Sequence, residues 1–468
     1  MKKDSLVDYL SCILFRLFGP LIRAFPESIS LFLGSRLGEL TYYLDLKHKA
    51  VSYSNIKTAF GSKLSPCELS RLTKDFFMRF GENLVEVLLA PSINSEYIKK
   101  YITIEGLDYV TEAFKRGKGV ILLGVHAGSW ELSNIVGAQL GHPFSLFVRN
   151  QRYPRLDKLL NSYRNQKGCK LIERKNQTRQ LVQVLKNNEA IGITVDQGGK
   201  SGCNVKFMGK DASMPQGAVR LALKYDAALL PGYYYRIKGP YIKVVIGPPC
   251  EIKRTGNKEK DIRDNLQAIV SLFENYIYKY PTEYLWSYKI WKYSREKNVL
   301  ILDDGKAGHL RQAEAVAKIA VNYLKGKGVK ADVTTVKVGF KNKLSRYALM
   351  FSSLLAGKYH CQGCLWCLKN FLTKETYLSF MAIKPDIIIS CGSALESVNF
   401  VLSRENLAKS ILVMRPSILS ARRFDLIIKP RHDRALKRKN VLVTEGALNL
   451  IDEDYLKEQS GRLVQATG

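Results

Sequence analysis

The stretch Gly-Val-Ile-Leu-Leu-Gly-Val-His-Ala-Gly-Ser-Trp-Glu at residues 119–131 decides the fold of the first half of the chain. Residues 119–125 form a short apolar run rich in branched side chains, which is typical of a buried strand in a parallel sheet. Residues 127–140 then follow a helical pattern. His126 is therefore expected at the carboxyl end of a strand, where open α/β sheets bind their ligands.

His126 and Glu131 are five residues apart at this strand-to-helix junction. A neutral imidazole can take the proton of a hydroxyl that attacks a carbonyl, and such positioned bases accelerate reactions about 10²–10⁴-fold. The pair therefore predicts a general base, His126, whose other ring nitrogen donates a hydrogen bond to Glu131. The alternative is that His126 only caps a helix and that Glu131 is a solvated first-turn acid.

The residues around the pair favour the catalytic interpretation. His-Ala-Gly-Ser-Trp-Glu (126–131) resembles the His-x4-Asp/Glu motif of the glycerolipid acyltransferase superfamily, and it is most similar to the lipid A late (lauroyl/myristoyl) acyltransferase family. Further blocks resembling that family occur before and after the motif in the family's order, and they extend the resemblance over about residues 5–290. These blocks are Asn55 in 51–60, the basic block 145–164, Asp196-Gln197, 207–212, 217–222, Pro231 and Arg236.

The resemblance implies an acyltransferase of lipid A and lipopolysaccharide biosynthesis. Such an enzyme moves a fatty acyl group from acyl carrier protein or acyl-CoA to a hydroxyl of a membrane glycolipid, most of all lipid A or a precursor, without a cofactor. The implied fold is a mixed α/β sheet flanked by helices, with a hydrophobic groove beside His126. The alternatives are another phospholipid or glycolipid acceptor, with a second domain that binds a sugar nucleotide, and a non-catalytic membrane scaffold.

The substrate is expected to contact a set of polar residues in the same half. Arg149 and Arg164 are expected to bind phosphate oxygens, because a planar guanidinium matches them bidentately. For the neighbouring Arg152 and Arg155, solvated surface charges are an equal alternative. Asp196 and Gln197 are predicted to bind substrate, with Asp196 orienting an arginine or the acceptor sugar; a structural ion pair is the alternative for Asp196.

The composition indicates a polyanionic environment. The 468 residues carry a formal net charge of +31, which favours an anionic membrane surface, phosphorylated lipids or an acidic acyl carrier protein as partners. Nucleic acid is not expected, since no zinc finger or RNA-binding motif appears. Nine cysteines without a secretory cleavage motif indicate reduced thiols.

The first 45 residues are predicted to form an amphipathic segment at the membrane interface. No apolar run reaches the roughly 18–20 residues of a transmembrane helix. Residues 5–25 instead place Leu6, Leu10, Ile13, Leu17 and Leu21 at helical spacing among cations. The expected location is the cytoplasmic face of a bacterial inner membrane, peripheral or monotopic. The alternative is a first helix that packs into the core.

A second α/β domain is predicted at 297–468, after an acyltransferase domain at 46–295. Strands are expected at 298–302, 330–338, 386–390 and 425–428, with a helix at 310–325, in a Rossmann-like arrangement. The motifs at 303–312 and 424–433 resemble the ELM-type mitochondrial fission family, many of whose bacterial members look like two-lobed glycosyltransferases. About 170 residues suffice for one lobe. The candidate nucleotide- or sugar-binding residues are Gly305, Gly308 and His309, with Gln312, His432 and Asp433 beside them.

A cysteine cluster in this domain has two interpretations. His360, Cys361, Cys364 and Cys367 have a spacing that suits zinc or an iron–sulfur cluster. The surrounding leucines and aromatic residues equally predict an apolar helix with cysteines as small core residues. No metal is assigned.

Overall fold

The computed structural model describes residues 3–61, 63–139, 141–148, 153–173, 177–357, 359–451 and 453–467. The chain divides into two compact units. The first contains Met1–Asp45 and Leu72–Tyr293, and the second contains Leu46–Arg71 and Ser294–Gly468. The second unit thus includes a segment that the sequence-based boundaries had assigned to the acyltransferase domain.

The helices and strands are numbered in chain order. The helices are α1 Lys3–Arg23, α2 Glu27–Leu44, α3 Leu46–Phe60, α4 Pro66–Leu89, α5 Ser95–Tyr101, α6 Leu107–Lys115, α7 Trp130–Ala138, α8 Pro154–Gln166, α9 Gln177–Lys186, α10 Gly217–Tyr225, α11 Lys258–Lys279, α12 Ala307–Gly326, α13 Lys343–Leu354, α14 Trp366–Phe371, α15 Lys374–Ala382, α16 Glu396–Asn406 and α17 Glu453–Thr467. The strands are β1 Ile102–Glu105, β2 Val120–Gly124, β3 Phe144–Val148, β4 Cys169–Glu173, β5 Ala190–Thr194, β6 Cys203–Phe207, β7 Lys210–Met214, β8 Ala228–Lys238, β9 Tyr241–Ile246, β10 Glu296–Asp303, β11 Lys330–Lys337, β12 Ile387–Cys391, β13 Lys409–Val413, β14 Leu426–Pro430 and β15 Val441–Thr444.

The first unit is built on a mixed sheet flanked by helices. The strand order is β1-β9-β8-β2-β5-β3-β4, and the pairings are parallel except for the antiparallel β8–β9 pair. The predicted strand at 119–125 is therefore β2, in the middle of the sheet. Its apolar side chains are buried because helices cover both faces. The predicted fold class is confirmed.

The first two helices bury only one narrow face each. Asp8 and Cys12 of α1 and Leu31, Gly34 and Gly38 of α2 are buried or tightly packed. The opposite faces are exposed and apolar: Leu6, Val7, Leu10, Leu14, Leu17, Phe18 and Leu21 on α1, and Ile29, Phe32, Leu33, Leu37, Leu40, Tyr43 and Leu44 on α2. In the described part of the chain, no helix combines the length and the hydropathy needed to cross a bilayer.

The second unit contains a parallel sheet with the order β11-β10-β12-β13-β14-β15. The predicted strands of this half correspond to β10, β11, β12 and β14, and the predicted helix to α12. The helix α3 belongs to this unit and packs against α16. Its Lys57 forms a buried ion pair of 2.9 Å with Glu405, whose other carboxylate oxygen accepts a hydrogen bond from the Gly363 N–H.

Candidate active site

His126 and Asp196 meet at one edge of the central sheet. His126 lies two residues after β2, and Asp196 lies two residues after β5, the parallel neighbour of β2. The Nδ1 atom of His126 is 2.8 Å from Oδ1 of Asp196, and the His126 backbone N–H donates to Oδ2 at 3.0 Å. Because parallel neighbours end at the same sheet edge, strand pairing alone brings these side chains together.

Tyr284 provides a further hydrogen bond to the same carboxylate. Its ring is buried, and its hydroxyl donates to Asp196. Burial, and then the neighbouring Asp196 charge, raise the pKa of Tyr284 well above its usual value, so this hydroxyl stays protonated. Asp196 thus accepts hydrogen bonds from a main-chain N–H, an imidazole and a phenol, and its orientation is fixed.

The Asp196 carboxylate also fixes the tautomer of His126. A carboxylate only accepts hydrogen bonds, so the neutral imidazole carries its proton on Nδ1 and leaves the Nε2 lone pair free. Burial lowers the pKa of His126, but the charge of Asp196 and its hydrogen bond outweigh this effect and raise the pKa above 6.5. The side chain retains 27% of its accessible surface. An imidazole oriented in this way can act as a general base.

Glu131 does not fill the role that its spacing predicted. Its two carboxylate oxygens bind Arg164: the Nε of Arg164 donates to Oε2 at 2.9 Å, and the second terminal nitrogen contacts Oε1. Arg164 also donates to Asn161 at 2.8 Å. Glu131 lies in the first turn of α7, and its side chain points toward α8 rather than back to the loop that carries His126. Among the described residues, the carboxylate partner of His126 is therefore Asp196, not Glu131.

Of the arginines considered for phosphate binding, the structure describes two. Arg149 and Arg152 lie outside the described residues. Arg164 is described, and its guanidinium is engaged by Glu131, so binding of a phosphate there would require this bidentate ion pair to open. Arg155 packs over the ring of Tyr9, with its guanidinium carbon 5.1 Å from the ring centre. Gln197 is half-buried beside Asp196.

A buried group of charges supports the loop that carries His126. Arg236 of β8 pairs with Glu86 at 2.6 Å and with Glu82 at 3.2 Å. Asn83, on the same helix as these acids, donates to the Gly128 carbonyl at 3.0 Å. The family-like Arg236 is thus a structural residue that ties α4 to the site.

The segment 283–285 closes the loop from the other side. The Gly128 N–H donates to the Glu283 carbonyl at 2.9 Å, and the Leu285 N–H donates to the His126 carbonyl at 2.8 Å. No role was predicted for residues 283–285 from the sequence, so Tyr284 and Glu283 were missed as site residues. Aromatic residues are dense in this stretch, but only the fold brings Glu283 to Gly128, 155 positions earlier, and Tyr284 to Asp196, 88 positions earlier.

Gly305, Gly308 and His309 follow β10 at the point where the strand order of the second unit reverses, whereas His432 and Asp433 follow β14. β11 lies on one side of β10, and β12 to β15 lie on the other. Nδ1 of His309 is 2.8 Å from Oδ2 of Asp304, and the imidazole packs against Gly392, which follows β12. Gly305 adopts a φ of +82°, and Gly308 lies in the first turn of α12. Such reversal points are common ligand sites, and nucleotide binding here stays a prediction.

The cysteines of the cluster form no disulfide bond. Cys361, Cys364 and Cys367 are free thiols. Burial, and then the neighbouring thiols, raise the pKa of Cys361 to about 12. Within the described ranges, no group of three or more His, Cys, Asp or Glu side chains has the arrangement of a metal site.

A cleft of about 160 Å³ opens in the first unit, away from His126. Its lining includes Arg116, Asp226 and Arg254, and Asp226 already forms ion pairs with both arginines. The cleft lies near the start of β8, whereas His126 follows the end of β2, which runs parallel to β8. The acyl groove expected beside His126 stays a prediction.

Comparison with known proteins relates the two halves to different families. The chain is 25% identical over 272 residues to a lipid A biosynthesis palmitoleoyltransferase of Escherichia coli K12, covering 57% of this chain and 86% of that protein. It is 24% identical over 213 residues to a phosphatidylinositol mannoside acyltransferase of Mycobacterium tuberculosis H37Rv, covering 44% of this chain and 65% of that protein. Residues 307–467 match the family model described as mitochondrial fission ELM1. Residues 1–293, more than half of the chain, match the family model of bacterial lipid A biosynthesis acyltransferases, and the chain therefore belongs to this acyltransferase family.

Proposed function

We propose that the protein transfers a fatty acyl group from a thioester donor, acyl carrier protein or acyl-CoA, to a hydroxyl of a membrane glycolipid, with lipid A or a precursor as the leading acceptor. The observation that supports this most is the 2.8 Å contact between His126 and Asp196. It orients a partly exposed imidazole as a base at the sheet edge where α/β folds bind ligands.

In the proposed reaction, Nε2 of His126 takes the proton of the acceptor hydroxyl while the oxygen attacks the thioester carbonyl carbon. The charge of Asp196 stabilises the imidazolium that forms. The tetrahedral intermediate then collapses, the C–S bond breaks, and the imidazolium returns the proton to the leaving sulfur as a thiol. The base is regenerated, and neither a metal nor an organic cofactor takes part in the step.

The carboxylate role in this proposal belongs to Asp196 rather than to Glu131. Glu131 and Arg164 instead join the start of α7 to α8 and hold the helix that follows His126. A phosphate-binding role is kept for Arg149, as the sequence predicted.

A second acceptor class is supported by one of the comparisons. The mycobacterial relative carries the name of a phosphatidylinositol mannoside acyltransferase, which is an acyltransferase for a different phosphoglycolipid. A mannosylated or otherwise glycosylated phospholipid is therefore the alternative acceptor for this chain. Both acceptors present a sugar hydroxyl beside a phosphate, so the same base serves either one.

We place the first unit at the surface of a membrane. The exposed apolar faces of α1 and α2 would enter the interface between headgroups and acyl chains, while cations such as Arg16 and Arg36 meet anionic lipids. This surface supports the predicted peripheral location on the cytoplasmic face of a bacterial inner membrane. A substrate that resides in the same interface would then reach His126 without leaving the bilayer.

The proposal is tested by lipid mass spectrometry after expression in a host with an underacylated outer-membrane lipid. The wild-type chain should add one acyl group to a host glycolipid, and His126→Ala should lower that product by about 10²–10⁴-fold. The matched control is His142→Ala. His142 stacks on Phe114 with 3.7 Å between the ring centres. It precedes β3 and therefore lies at the amino ends of the parallel strands, whereas His126 lies at their carboxyl ends.

Two results would contradict the proposal. One is a folded His126→Ala variant that retains wild-type turnover with labelled acyl carrier protein or acyl-CoA. The other is an unchanged lipid profile in every host, combined with no acyl transfer to purified lipid A precursors or phosphatidylinositol mannosides in vitro.

A further inference from the structure

The helix α13 of the second unit presents an exposed apolar stripe. Leu344, Tyr347, Phe351 and Leu354 recur at helical spacing, and Leu355 follows directly. Their positions fall within one arc of the helix. Leu344 is 76% exposed and Leu355 is 90% exposed, which is unusual for leucines in a packed α/β domain.

The opposite face of α13 is anchored in the core. Ser345, Leu349, Met350 and Ser353 are buried, and Leu349 belongs to the apolar cluster beneath the sheet. The Ser353 hydroxyl also hydrogen-bonds Ser397 at 3.0 Å. The helix is therefore held in place by one face, and the apolar stripe on its outer face is a fixed feature of the surface.

Trp366, on the neighbouring helix α14, is a further exposed aromatic residue. It opens α14, which packs against α13, and it is 61% exposed. Its ring meets Phe371 edge-on at 5.7 Å, and the Phe371 carbonyl accepts a hydrogen bond from the Lys341 N–H just before α13. The α13 surface is defined here as Leu344, Tyr347, Phe351, Leu354, Leu355 and Trp366.

The stretch of sequence that carries the α13 surface contains charges of one sign only. Residues 333–374 contain seven lysines and arginines and not one aspartate or glutamate. Lys341, Lys343 and Lys369 are exposed, and the Arg346 guanidinium lies over the Tyr347 ring at 5.0 Å. Apolar and aromatic side chains framed by cations are the composition of a helix that lies in a lipid–water interface.

We propose that the α13 surface docks onto an anionic phospholipid bilayer. The bilayer is the occupant that the charges favour, because a second copy of this chain would bring the same cations together, and an unpaired basic rim would be costly in a contact with a neutral partner. The helix lies along the interface, Leu344, Phe351 and Leu355 enter the acyl region, and the lysines reach back to the phosphates. This inference does not depend on acyl transfer by the first unit.

The fluorescence of Trp366 tests the docking directly in the full chain. The other three tryptophans are less suited to contact lipid, since Trp286 and Trp291 are buried and Trp130 is half-buried. Vesicles of phosphatidylglycerol and phosphatidylcholine with brominated acyl chains should quench the wild-type chain more strongly than Trp366→Phe. The comparison is made at vesicle concentrations at which flotation shows all of the protein bound, so that binding through the first unit does not enter the result.

Paired variants sharpen the assignment. Leu344→Ser combined with Phe351→Ser should reduce the Trp366-dependent quenching by roughly half or more, because the stripe loses its inserted side chains. The matched control combines Ile319→Ser with Tyr323→Ser, two equally exposed apolar residues of α12 outside the surface, and should quench like the wild type. Lys341→Gln combined with Lys343→Gln should weaken the preference for phosphatidylglycerol.

The proposal is overturned if vesicle-bound wild-type protein shows no quenching beyond that of Trp366→Phe. It is equally overturned if the α12 control lowers the quenching as much as the α13 variant does. Capture of a soluble protein through the α13 surface without any Trp366 quenching would assign the surface to a protein partner instead.

Discussion

At the scale of single residues, the site depends on which carboxylate holds the imidazole. Asp196 is 70 positions away from His126 in sequence but one strand away in the sheet. Its charge raises the pKa of His126 above 6.5 despite burial. The protonated imidazole, which cannot act as a base, therefore persists to a higher pH than it does for an ordinary histidine. If His126 is the base, as proposed, activity should be lost at a higher pH on acidification.

Replacing Asp196 tests this assignment through the pH profile. Asp196→Asn should lower kcat/KM by roughly 10³–10⁴-fold, because an amide can stabilise the wrong tautomer and no longer supports the imidazolium. The acidic limb of the residual activity should move to lower pH, since the pKa of His126 falls once the neighbouring charge is gone. The measurement is kcat/KM against pH with a soluble acyl donor.

Glu131→Gln is the matched control for that experiment. It should leave the acidic limb in place and lower the midpoint of thermal unfolding, because Arg164 loses a buried partner. A Glu131→Gln variant that moves the limb, beside an Asp196→Asn variant that does not, would restore Glu131 as the partner of His126.

Much of this candidate site could be predicted from the sequence. The choice of Glu131 as the partner of His126 was wrong, and the reason is physical. His126 was predicted from its position after an apolar run, and Asp196 from the family resemblance and its place at a strand end, as a substrate-binding residue. Glu131 was chosen as the partner because it is near in sequence, whereas in the structure Arg164 of α8 binds its carboxylate. The rule that parallel neighbours end at one edge favours Asp196, but the order of the strands was not available from the sequence.

At the scale of elements, close packing between α2 and α4 shapes the first unit. Gly34 and Gly38 of α2 face Gly81 of α4 so closely that a Cβ on Gly81 would lie 2.1 Å from the Gly34 carbonyl oxygen. Backbones approach this closely only where side chains are absent. The contact fixes the position of α2, whose outer face carries part of the proposed membrane surface.

Gly81→Ala should therefore destabilise the first unit. The added methyl group forces the helices apart, with an expected loss of about 1–3 kcal/mol in the free energy of unfolding. Urea unfolding followed by circular dichroism measures this loss. Gly326→Ala at the end of α12, where nothing lies within 4 Å of an added Cβ, should change stability by less than about 0.5 kcal/mol. Equal effects of the two substitutions would show that the α2–α4 contact is not tight.

Elements with strong apolar patterns were predicted well, and those that depend on distant partners were not. The strand predicted from the apolar run at 119–125 corresponds to β2, and the helix predicted at 310–325 corresponds to α12. The helix predicted at 127–140 begins only at Trp130, because residues 126–128 are held by hydrogen bonds to 283–285 instead. β13 was missed, since its short run starts with Lys409-Ser410 and lacks a distinctive pattern.

At the scale of the whole molecule, α3 links the two halves of the sequence. It lies within the segment that matches the acyltransferase family, yet its Tyr53 and Lys57 bind Glu405 in the second unit. The sequence could not reveal this, because the side chains that a helix buries do not specify the element that it packs against. The domain boundary therefore does not coincide with a single position in the chain.

Breaking the α3 ion pair should destabilise the second unit. The side chains of Lys57 and Glu405 are 4% and 0% exposed, so Lys57→Met leaves a buried carboxylate without its cation, at a cost of about 3–5 kcal/mol. The double variant Lys57→Met with Glu405→Gln should recover most of that loss. The control is Lys409→Met, which removes the exposed partner of Asp425 and should cost less than about 1 kcal/mol.

Urea unfolding of the full chain measures all three variants. A Lys57→Met variant no less stable than Lys409→Met would contradict the assignment of α3 to the second unit.

The position of α3 also bears on how the protein is made. Lys57 leaves the ribosome 348 residues before Glu405, which at roughly 5–20 residues per second is an interval of roughly 20–70 s. During that interval the nascent chain carries α3 with its inner face, including Tyr53 and Ile56, exposed to solvent. The N-terminal half thus completes synthesis before one of its own helices can dock, and this waiting period is when a chaperone would be needed.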